Sequence, residues 1–531
     1  MTTGSPLTVC AAFDRVARIY PGYEAAVDSV SRLTFADLDD ASRRCVTLLR
    51  EQGVMPGDRV GLLTVASTVH LVAWLAVVRS GAIPVVLHTR ESASVQARLC
   101  EKFGIGLLLH DLSLGPIVAA MAEECARPLK GVALRSGAAG ADAPVTAAPV
   151  EVPRDLAIHA PATDLPVPGE DDVAVIILSS GTTSLPKGVV HTHRSAVEMT
   201  RATLSLYPGL RPGQRILVPF STAFTAAYAT WLPFLAAGGC TVFLEHFDLE
   251  EYAATVRRER ITHMSLTPTM WRKLLTLDPD PKTYASVVLA QYAAESMDGT
   301  TLARIRETVS HNVAQAYGST ETFGMVTVHV ADDMVGERLG SVGRPFPDTE
   351  VRIVRESGAP GDVVPAGVVG EVMATSPSVA EGIWEDPSTT AKLFHTDADG
   401  RRWWRSGDLA RLDADGFLFF EGRSDDMIIS GGINIMPAAI EEVLISHPAV
   451  VEAAVVGLPH PEWGQQVHAF VVRADAAMTA EDLDRFMCAS PLSGYQRPRA
   501  YHFVETLPRT ATNKLNRRAL RKNGLPTATA R

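Results

Sequence analysis

At 531 residues the chain exceeds what one hydrophobic core usually supports, so we expect two or more domains. Hydrophobic residues make up 46% and charged residues 21%, which is ordinary for a globular protein in water. The formal net charge of −11 argues against a nucleic-acid-binding protein, whose surface carries a basic patch or stripe.

The cysteines, the N-terminus and one charge-free stretch bear on whether the protein is cytoplasmic, secreted or inserted in a membrane. No C-x-x-C pair occurs among the cysteines, which predicts neither a disulfide framework nor a zinc site and fits a reducing cytoplasm. The N-terminus lacks the basic-then-apolar order of a signal peptide, so we expect a cytoplasmic protein. The stretch from Val60 to Val78 has no charged side chain and nearly reaches bilayer length. Polar interruptions such as His70 favour a buried strand (Val60–Val65) and a core helix over membrane insertion. The cysteines are Cys10, Cys45, Cys100, Cys125, Cys240 and Cys488.

The predicted elements alternate between short apolar runs and helix-like segments, the pattern of layered α/β structure. Residues 135–170 are rich in Ala, Pro and Gly and predict a surface connection, after which Val173–Leu178 predicts a strand buried on both faces. Asp415-Gly416 between two apolar runs predicts a hairpin. A compact unit follows, and we place a domain boundary near Asp425. Its predicted elements are a helix Ala438–Ser446, strands Val450–Gly457 and Val467–Val472, and a helix Glu481–Met487.

A run of small hydroxyl residues and glycines, Ser179–Gly188, follows the buried strand directly. Such a loop lets backbone N–H and side-chain O–H groups converge on phosphate oxygens, and Lys187 adds a positive charge. It is not a Walker A loop, because Pro186 stands in place of the second glycine. A flexible polar turn is the alternative, but Pro-Lys-Gly in this order after a buried strand favours phosphate binding. The predicted phosphate-binding residues are Ser179, Ser180, Gly181, Thr182, Thr183 and Lys187.

This loop resembles the phosphate loop of the adenylate-forming superfamily, which includes acyl- and aryl-CoA synthetases, peptide-synthetase adenylation domains and beetle luciferases. Most members have glycine where Ser184 stands, but the phosphate-binding donors are retained here. The resemblance implies an α/β fold with a large N-terminal domain (1–424) of several subdomains, built from layered sheets and helices. A small, mobile α+β C-terminal domain (425–531) follows.

A second motif, Gln315–Thr322, resembles the second signature of the same superfamily. There the ring of Tyr317 stacks near adenine, Gly318 lines the nucleotide, Thr320 meets the α-phosphate and Glu321 holds Mg²⁺. A carboxylate is a suitable hard ligand for Mg²⁺ bound to phosphates. Taken alone, this composition is common in loops, and only its place in the ordered set of motifs gives it weight.

The ribose site and the hinge are implied by two further motifs. Trp404–Asp408 resembles the ribose site, in which Asp408 accepts from the sugar hydroxyls. In Gly422–Asp426, the resemblance gives Arg423 a contact to the ribose and makes Asp425 the hinge about which the small domain rotates.

Two motifs in the C-terminal part are assigned to different half-reactions. In family members the segment Ser430–Pro437 lines the pantetheine tunnel, so Gly431 and Gly432 are expected there; a β-turn before a helix is a compatible interpretation. The run ending in Asn513-Lys514 resembles the loop with the adenylation lysine. A cation at Lys514 would stabilise charge on the attacking carboxylate and α-phosphate. We therefore assign catalysis to Lys514, Thr183 and Glu321.

Three weaker matches favour coenzyme A as the acyl acceptor. Arg90 fits an arginine used against CoA phosphate, Trp463 fits a tryptophan beside pantetheine, and Arg497 fits an arginine at the nucleotide end of CoA. We expect no carrier-protein domain in this chain, because the sequence stops at Arg531.

The resemblance implies an acyl pocket along four segments: Pro219–Tyr228, Leu266–Met270, Gln291–Glu295 and Gly318–Met325. This sequence departs from common members there. Many members have His where Thr222 stands and a glycine pair where Ala293 and Ala294 stand. Several hydroxyls nearby either contact a polar substituent of the acid or bond their own backbone: Ser221, Thr222, Thr225 and Tyr228. The expected pocket residues are Phe220, Thr222, Phe224, Ala293, Ala294, Gly318 and Phe323.

The function implied is an ATP-dependent carboxylate–CoA ligase using ATP, Mg²⁺ and coenzyme A. It would form an acyl-adenylate and pyrophosphate from ATP and an organic acid (a small-molecule carboxylic acid), then transfer the acyl group to CoA and release AMP. Neither nucleic acid nor membrane insertion is expected, and homo-oligomerisation is left open. Three alternatives stay open: loading of a separate carrier protein, a non-catalytic acyl- or adenylate-binding homologue, and a luciferase-like oxygenase, since fold does not determine function.

Overall fold

The computed structural model describes residues 7–135, 150–151, 155–179, 185–207, 209–277, 281–294, 297–490, 492–509 and 515–522. Its α-helices in chain order are α1 (Val9–Ile19), α2 (Phe35–Glu51), α3 (Thr68–Arg79), α4 (Ala93–Phe103), α5 (Gly115–Glu124), α6 (His193–Leu204), α7 (Thr225–Ala236), α8 (Leu249–Arg258), α9 (Pro268–Leu275), α10 (Gly299–Thr308), α11 (Pro387–Leu393), α12 (Pro437–Ile445), α13 (Ala480–Cys488) and α14 (Arg517–Lys522).

The β-strands of the same residues are β1 (Glu24–Val27), β2 (Arg32–Thr34), β3 (Arg59–Leu63), β4 (Ile83–Val86), β5 (Leu107–Asp111), β6 (Lys130–Arg135), β7 (Val150–Glu151), β8 (Val173–Ser179), β9 (Lys187–Thr192), β10 (Arg215–Val218), β11 (Cys240–Phe243), β12 (His263–Leu266), β13 (Leu289–Ala293), β14 (Val313–Tyr317), β15 (Thr327–Val330), β16 (Arg344–Pro345), β17 (Glu350–Val354), β18 (Gly370–Thr375), β19 (Gly382–Ile383), β20 (Phe394–Thr396), β21 (Arg402–Leu412), β22 (Leu418–Arg423), β23 (Ile428–Ser430), β24 (Ile433–Ile435), β25 (Val450–His460), β26 (Gly464–Arg473) and β27 (Ala500–Phe503).

Two large mixed sheets form the body of the protein. One has the strand order β16-β15-β14-β13-β12-β10-β11-β1-β2, and its middle strands run parallel. The other has the order β19-β9-β8-β4-β3-β5-β6-β7, with β8 and β9 antiparallel. Parallel strands need crossover connections, which the intervening helices provide.

Helices α3 and α7 pack between the two large sheets. Every residue of α3 is buried, which is typical of a helix that is apolar on all sides and lies in the core of a large protein. The largest apolar cluster includes residues of both sheets and both helices, among them Val60, Trp74, Ile216 and Trp231. The charge-free stretch is thus a strand followed by a core helix, as predicted. In the part of the chain that the structure describes, no helix is long and apolar enough to cross a bilayer.

Two smaller sheets follow in the C-terminal third. The antiparallel sheet β17-β18-β21-β20 has β22 paired to β21, which confirms the hairpin predicted at Asp415-Gly416. The last sheet has the order β24-β23-β26-β25, with β27 beside β26, and packs against α12 and α13. The predicted elements of this unit are confirmed, and β25 runs to His460 because its pairing with β26 continues to Gly464.

Residues 135–170 are only partly an exposed connection. Residues 136–149 and 152–154 lie outside the described part of the chain. Of the remainder, Leu156 is fully buried and Ala162 is nearly so, so these residues belong to the packed core rather than to a loose surface loop. The prediction of a surface connection is wrong for Leu156 and Ala162. A composition rich in Ala and Pro indicates a loop but does not indicate which apolar residue of that loop is buried.

Candidate active site

The expected acyl-pocket segments and the second nucleotide motif lie at the carboxyl ends of strands of the first large sheet. Pro219 follows β10, Thr267 follows β12, Ala294 follows β13 and Gly318 follows β14. Open parallel sheets bind ligands in the crevice outside these strand ends. The expected acyl pocket and the second nucleotide motif therefore lie along one edge.

The turn after β14 brings Thr320, Glu321 and Phe323 to this edge. The Gly324 N–H donates to the Ser319 carbonyl at 2.7 Å, and the Phe323 N–H donates to the Thr320 carbonyl at 3.1 Å. Gly318 makes the turn possible, because a Cβ atom there would lie 2.3 Å from the backbone of Gly324. The tight packing of Gly318 thus fixes where the turn begins.

Two neighbouring side chains hold Thr320 in place. The Thr225 hydroxyl donates to the Thr320 hydroxyl at 3.0 Å, and His191 Nε2 donates to the Thr320 carbonyl at 2.8 Å. Burial lowers the pKa of His191 to about 4 against the opposing effect of this hydrogen bond, so the imidazole is neutral at physiological pH. The residue expected at the α-phosphate therefore sits on a rigid support.

Glu321 presents a half-buried carboxylate beside this turn. The Ser319 hydroxyl donates to one of its carboxylate oxygens, and the Ala380 N–H donates to the Glu321 carbonyl at 2.9 Å. Mg²⁺ prefers oxygen ligands and usually takes only one or two carboxylates when it binds a nucleotide. A single oriented carboxylate at this position fits that requirement.

Tyr317, Asp408 and Arg423 form a hydrogen-bonded group at the expected ribose site. The Tyr317 hydroxyl donates to Asp408 Oδ2 at 2.6 Å, and Arg423 Nε lies 3.5 Å from Asp408 Oδ1. Burial, together with the nearby Asp408 charge, raises the pKa of Tyr317 well above its usual range, so the phenol stays a donor. The Asp408 carboxylate is thus oriented as an acceptor for sugar hydroxyls.

The segment predicted to bind phosphate lies between β8 and β9, and the apolar run before it forms β8, as predicted. Ser180, Gly181, Thr182, Thr183 and Ser184 lie outside the described residues, whereas Ser179 and Lys187 face each other in register at its two ends.

The exit of this loop is clamped by the end of α4. Lys102 Nζ donates to the Pro186 carbonyl at 2.9 Å, and a Cβ on Gly188 would lie 2.4 Å from the ring of Phe103. Lys187 therefore enters β9 from a fixed position.

The Gly-rich segment forms a tight hairpin between β23 and β24. Gly431 and Gly432 are its two central residues, with φ of +57° and +80°. Two consecutive positive φ values are the requirement of a type I′ turn, which glycine meets without strain. Both glycines are exposed with open space around them, so a turn and an open passage for a narrow ligand are compatible here.

The expected hinge residue lies in a short turn, Ser424–Asp426, directly after β22. Asp425 is exposed, and its carbonyl accepts from Arg521 at 3.4 Å. Arg517 lies 3.3 Å from the neighbouring Asp426. The expected hinge turn is therefore held by two arginines of α14, Arg517 and Arg521. Lys514, which precedes α14 in the sequence, lies outside the described residues.

The three residues expected to contact CoA are spread over two regions. Trp463 is 37% exposed and stacks on His460, with ring centroids 4.8 Å apart. It lies beside the glycine hairpin, because the Gly431 N–H donates to the Trp463 carbonyl. Arg497 instead contacts Cys488 Sγ at 2.7 Å and Asp484 at 3.4 Å. Arg90 is exposed after β4.

The acyl wall combines aromatic side chains with strained backbone. Phe323 is fully buried against His191, with ring centroids 4.1 Å apart, and the Phe224 ring lies 4.9 Å from His88. Phe220 packs against the main core. Phe323 and Ala294 both have left-handed backbone, with φ of +55° and +74°. Such conformations cost about 1–3 kcal/mol each and persist where the surroundings hold them.

The hydroxyls of the acyl wall do not simply bond their own backbone. Only Ser221 does so, by accepting from the Ala223 N–H at 3.4 Å. The Thr222 hydroxyl lies 3.4 Å from His70 Nδ1, and Thr225 bonds Thr320. Tyr228 has no hydrogen-bond acceptor among the described residues. The backbone interpretation is thus wrong for these three: Thr222 and Thr225 approach side chains distant in sequence, and the Tyr228 hydroxyl has no backbone acceptor among the described residues.

The sequence reasoning missed several residues of the site's supporting layer. His191 supports Thr320, His88 packs against Phe224, His70 adjoins Thr222 and Lys102 anchors the phosphate loop. A polar residue inside an apolar run, such as His70 in the charge-free stretch, was the available signal.

We predict that Gly318→Ala severely reduces adenylation. The added methyl group would overlap the backbone of Gly324, so the turn carrying Thr320 must shift. Displacement of a positioning group by about 1 Å costs about 10²-fold in rate. Pyrophosphate exchange measures the effect. Gly299→Ala is the matched control, because a Cβ there meets nothing within 4 Å and the rate should be unchanged. Equal rates for the two variants would contradict the role of Gly318.

Comparison with known proteins agrees with this geometry. Residues 13–384 match the family described as AMP-binding enzyme, and residues 439–514 match the AMP-binding enzyme C-terminal domain. A feruloyl-CoA synthase of Amycolatopsis sp is 32% identical over 96% of this chain and 97% of its own length. A 2-succinylbenzoate–CoA ligase of Bacillus licheniformis is 30% identical over 95% and 98% of the two chains.

A solved structure extends the likeness to three dimensions. The o-succinylbenzoate coenzyme A synthetase of Bacillus subtilis in complex with ATP and magnesium ion superposes with a TM-score of 0.80 at 26% identity, over 96% of this chain and 98% of that one. With both family regions matched and relatives 30% to 32% identical along nearly the whole chain, the chain belongs to the AMP-binding enzyme family, the adenylate-forming superfamily.

Proposed function

We propose that the protein is an AMP-forming carboxylate–CoA ligase that uses ATP, Mg²⁺ and coenzyme A. The observation that carries the proposal is the hydrogen bond from Tyr317 to Asp408, which joins two of the predicted nucleotide motifs. Tyr317 and Arg423 orient the Asp408 carboxylate, while the turn after β14 presents Thr320 and Glu321. The relatives over nearly the whole chain are CoA ligases by name, which supports the same activity.

We propose the following roles for the predicted site residues in the first half-reaction. Asp408 accepts from the ribose hydroxyls, and Thr320 and the phosphate loop donate to phosphate oxygens. Mg²⁺ at Glu321 would neutralise phosphate charge. The carboxylate of the acid attacks the α-phosphorus, the bond to pyrophosphate breaks, and Lys514 stabilises the spreading negative charge.

In the second half-reaction the thiol of CoA attacks the acyl carbon, and AMP leaves. We propose that residues 425–531 rotate about Asp425 and bring Gly431 and Gly432 to the pantetheine path, as a hinge in an exposed turn permits. Trp463, beside that hairpin, is a candidate wall for pantetheine, and Arg90 and Arg497 are candidate contacts for CoA phosphates. A separate carrier protein is the second candidate acceptor, because its phosphopantetheine arm would use the same path.

For the acid we propose a ring-containing or medium-chain carboxylate. The aromatic side chains of Phe220, Phe224 and Phe323 support apolar contacts with such a group. We place the enzyme in the cytoplasm, because the described cysteines are all free thiols and the reaction uses ATP and CoA.

We expect pyrophosphate exchange with aromatic or medium-chain acids, little with acetate or propionate, and acyl-CoA as the final product. The experiment is ATP–pyrophosphate exchange over a panel of acids, followed by mass detection of the thioester with CoA. Activity confined to acetate and propionate would overturn the substrate class. Exchange without acyl-CoA, but with acyl transfer to an added phosphopantetheinylated carrier, would favour the carrier-loading alternative.

A further inference from the structure

The side chain of Thr225 lies against the turn that carries Thr320. Thr225 is the first residue of α7 and is 8% exposed, and its hydroxyl donates to the Thr320 hydroxyl at 3.0 Å. Its methyl group lies 3.4 Å from where a Cβ on Gly324, in the same turn, would stand. The two threonines are 95 residues apart in sequence, so the bond exists because α7 packs against this turn.

This hydrogen bond departs from what a helical threonine usually does. A threonine in a helix commonly donates to a carbonyl of its own helix, three or four residues earlier. Thr230, later in α7, does so with the carbonyls of Ala226 and Ala227, at 3.1 and 2.6 Å. The Thr225 hydroxyl instead donates to a side chain outside its helix. Its partner therefore calls for an explanation other than helix stability.

The backbone of the turn is held by other contacts. His191 Nε2, from β9, donates to the Thr320 carbonyl at 2.8 Å, and the Ala380 N–H donates to the Glu321 carbonyl at 2.9 Å. In the described part of the chain, the bond from Thr225 is the one hydrogen bond that the Thr320 hydroxyl makes. The Thr225 hydroxyl therefore determines how the Thr320 hydroxyl is oriented rather than where the turn lies.

The direction of this bond decides what Thr320 can offer a ligand. A hydroxyl has one hydrogen and two lone pairs. Because Thr320 accepts from Thr225, its own hydrogen is left to donate, and no described residue accepts it. Thr320 is half-buried, so that hydrogen is accessible at the sheet edge. A hydroxyl that accepts one hydrogen bond is also a stronger donor in the next, since the two bonds polarise one another.

We propose that Thr225 is a positioning residue for adenylation, which keeps the hydroxyl hydrogen of Thr320 directed at the α-phosphate. The inference rests on the proposed adenylating activity and deepens the assignment of that same site. Thr225 lies in a segment expected to line the acyl pocket, but its hydrogen is used on Thr320 and is not available to the acid. Negative charge on the α-phosphate oxygens grows as the carboxylate attacks, so an oriented donor contributes most in the transition state.

The test compares two substitutions at Thr225 with one matched control. Thr225→Val keeps the shape without the hydroxyl, so in pyrophosphate exchange kcat should fall about tenfold while the KM for ATP changes about twofold or less. Thr225→Ser keeps the hydroxyl, and its kcat should stay within about threefold of the wild type. Thr230→Val makes the same change later in α7, where the hydroxyl bonds its own helix, and should leave kcat unchanged.

A double-mutant cycle with Thr320→Ala separates a positioning role from a structural one. If Thr225 acts through the Thr320 hydroxyl, Thr225→Val should cost about tenfold in the wild type and almost nothing in Thr320→Ala. The loss should be the same for every acid that supports exchange, because all acids attack the same α-phosphate. The Tm of Thr225→Val should lie close to that of the wild type, since His191 still holds the turn. Thr225→Ala, which also lacks the hydroxyl, should repeat the result.

The outcomes separate this inference from the proposed function. An unchanged kcat in folded Thr225→Val or Thr225→Ala would overturn it, and so would a kcat of Thr225→Ser as low as that of Thr225→Val. An equal loss in the Thr320→Ala background would make Thr225 structural. A loss confined to particular acids would assign the hydroxyl to the acid instead. No exchange by the wild type with any acid would refute the adenylating activity itself.

Discussion

Lys514→Ala should lose pyrophosphate exchange yet still convert a supplied acyl-adenylate and CoA into thioester. Negative charge builds at the position expected for its ammonium group only while the carboxylate attacks the α-phosphate. Loss of one such interaction in an occluded site typically costs about 10²- to 10³-fold in rate. The two half-reactions are measured separately, by exchange and by thioester formation from the adenylate.

Gly432→Leu should give the opposite pattern. The glycine hairpin is exposed, with open space around Gly432, so a leucine there leaves the nucleotide site intact but obstructs a pantetheine arm that passes it. Because Gly432 has φ of +80°, any side chain also strains the turn. Gly432→Ala is the matched control: it introduces the same backbone strain with little bulk and should retain most thioester formation.

The crossed pattern tests whether the two segments serve different half-reactions. Normal adenylation by folded Lys514→Ala would remove that residue from the catalytic assignment. Normal acyl-CoA formation by Gly432→Leu, or an equal loss in Gly432→Ala, would show that the hairpin does not line the pantetheine path.

Asp408→Ala should lower kcat/KM for ATP by about 10²-fold or more. Each hydrogen bond from a sugar hydroxyl to a charged acceptor contributes about 1.5–3 kcal/mol, and alanine removes the acceptor altogether. Loss of the ion pair with Arg423 should change the free energy of unfolding little, because the Arg423 side chain is 53% exposed and stays hydrated without its partner. Exchange kinetics at varied ATP concentration provide the measurement.

Tyr317→Phe is the control for this prediction. It keeps the ring expected beside adenine and removes only the hydroxyl that orients Asp408 at 2.6 Å, so a loss of a few-fold is expected. If Asp408→Ala were no worse than Tyr317→Phe, the carboxylate would be structural rather than a ribose ligand.

The fold was predictable where a local pattern determines the structure. The run Val173–Leu178 forms β8, and Asp415-Gly416 forms a hairpin, because an uninterrupted apolar run and a turn-forming dipeptide each act within a few residues. The end of β25 was missed by three residues, since its length depends on pairing with β26 rather than on its own composition.

The residues of the candidate site were predictable where they belong to a motif of the superfamily. They were not predictable where the packing of helices and strands determines which side chains meet. Asp408 lies 91 residues after Tyr317 and 15 residues before Arg423. Only the resemblance of their motifs to the nucleotide site of the superfamily predicted that the three lie together. The support of Thr320 by His191 crosses 129 residues and follows no motif. Side-chain partners of this kind arise from how α-helices and strands pack, which periodicity in one sequence does not encode.

The left-handed backbone at Ala294 and Phe323 sets a trade-off for anyone who selects this enzyme for heat resistance. Glycine or asparagine at such positions relieves strain, so replacements there are among the changes that selection for thermostability would enrich. Both residues are expected to shape the acyl wall, and losing a phenyl ring or a methyl group there reshapes the space for the acid. Variants that withstand higher temperatures should therefore drift in substrate range, and the first sign of that drift should be tolerance of acids that the parent rejects.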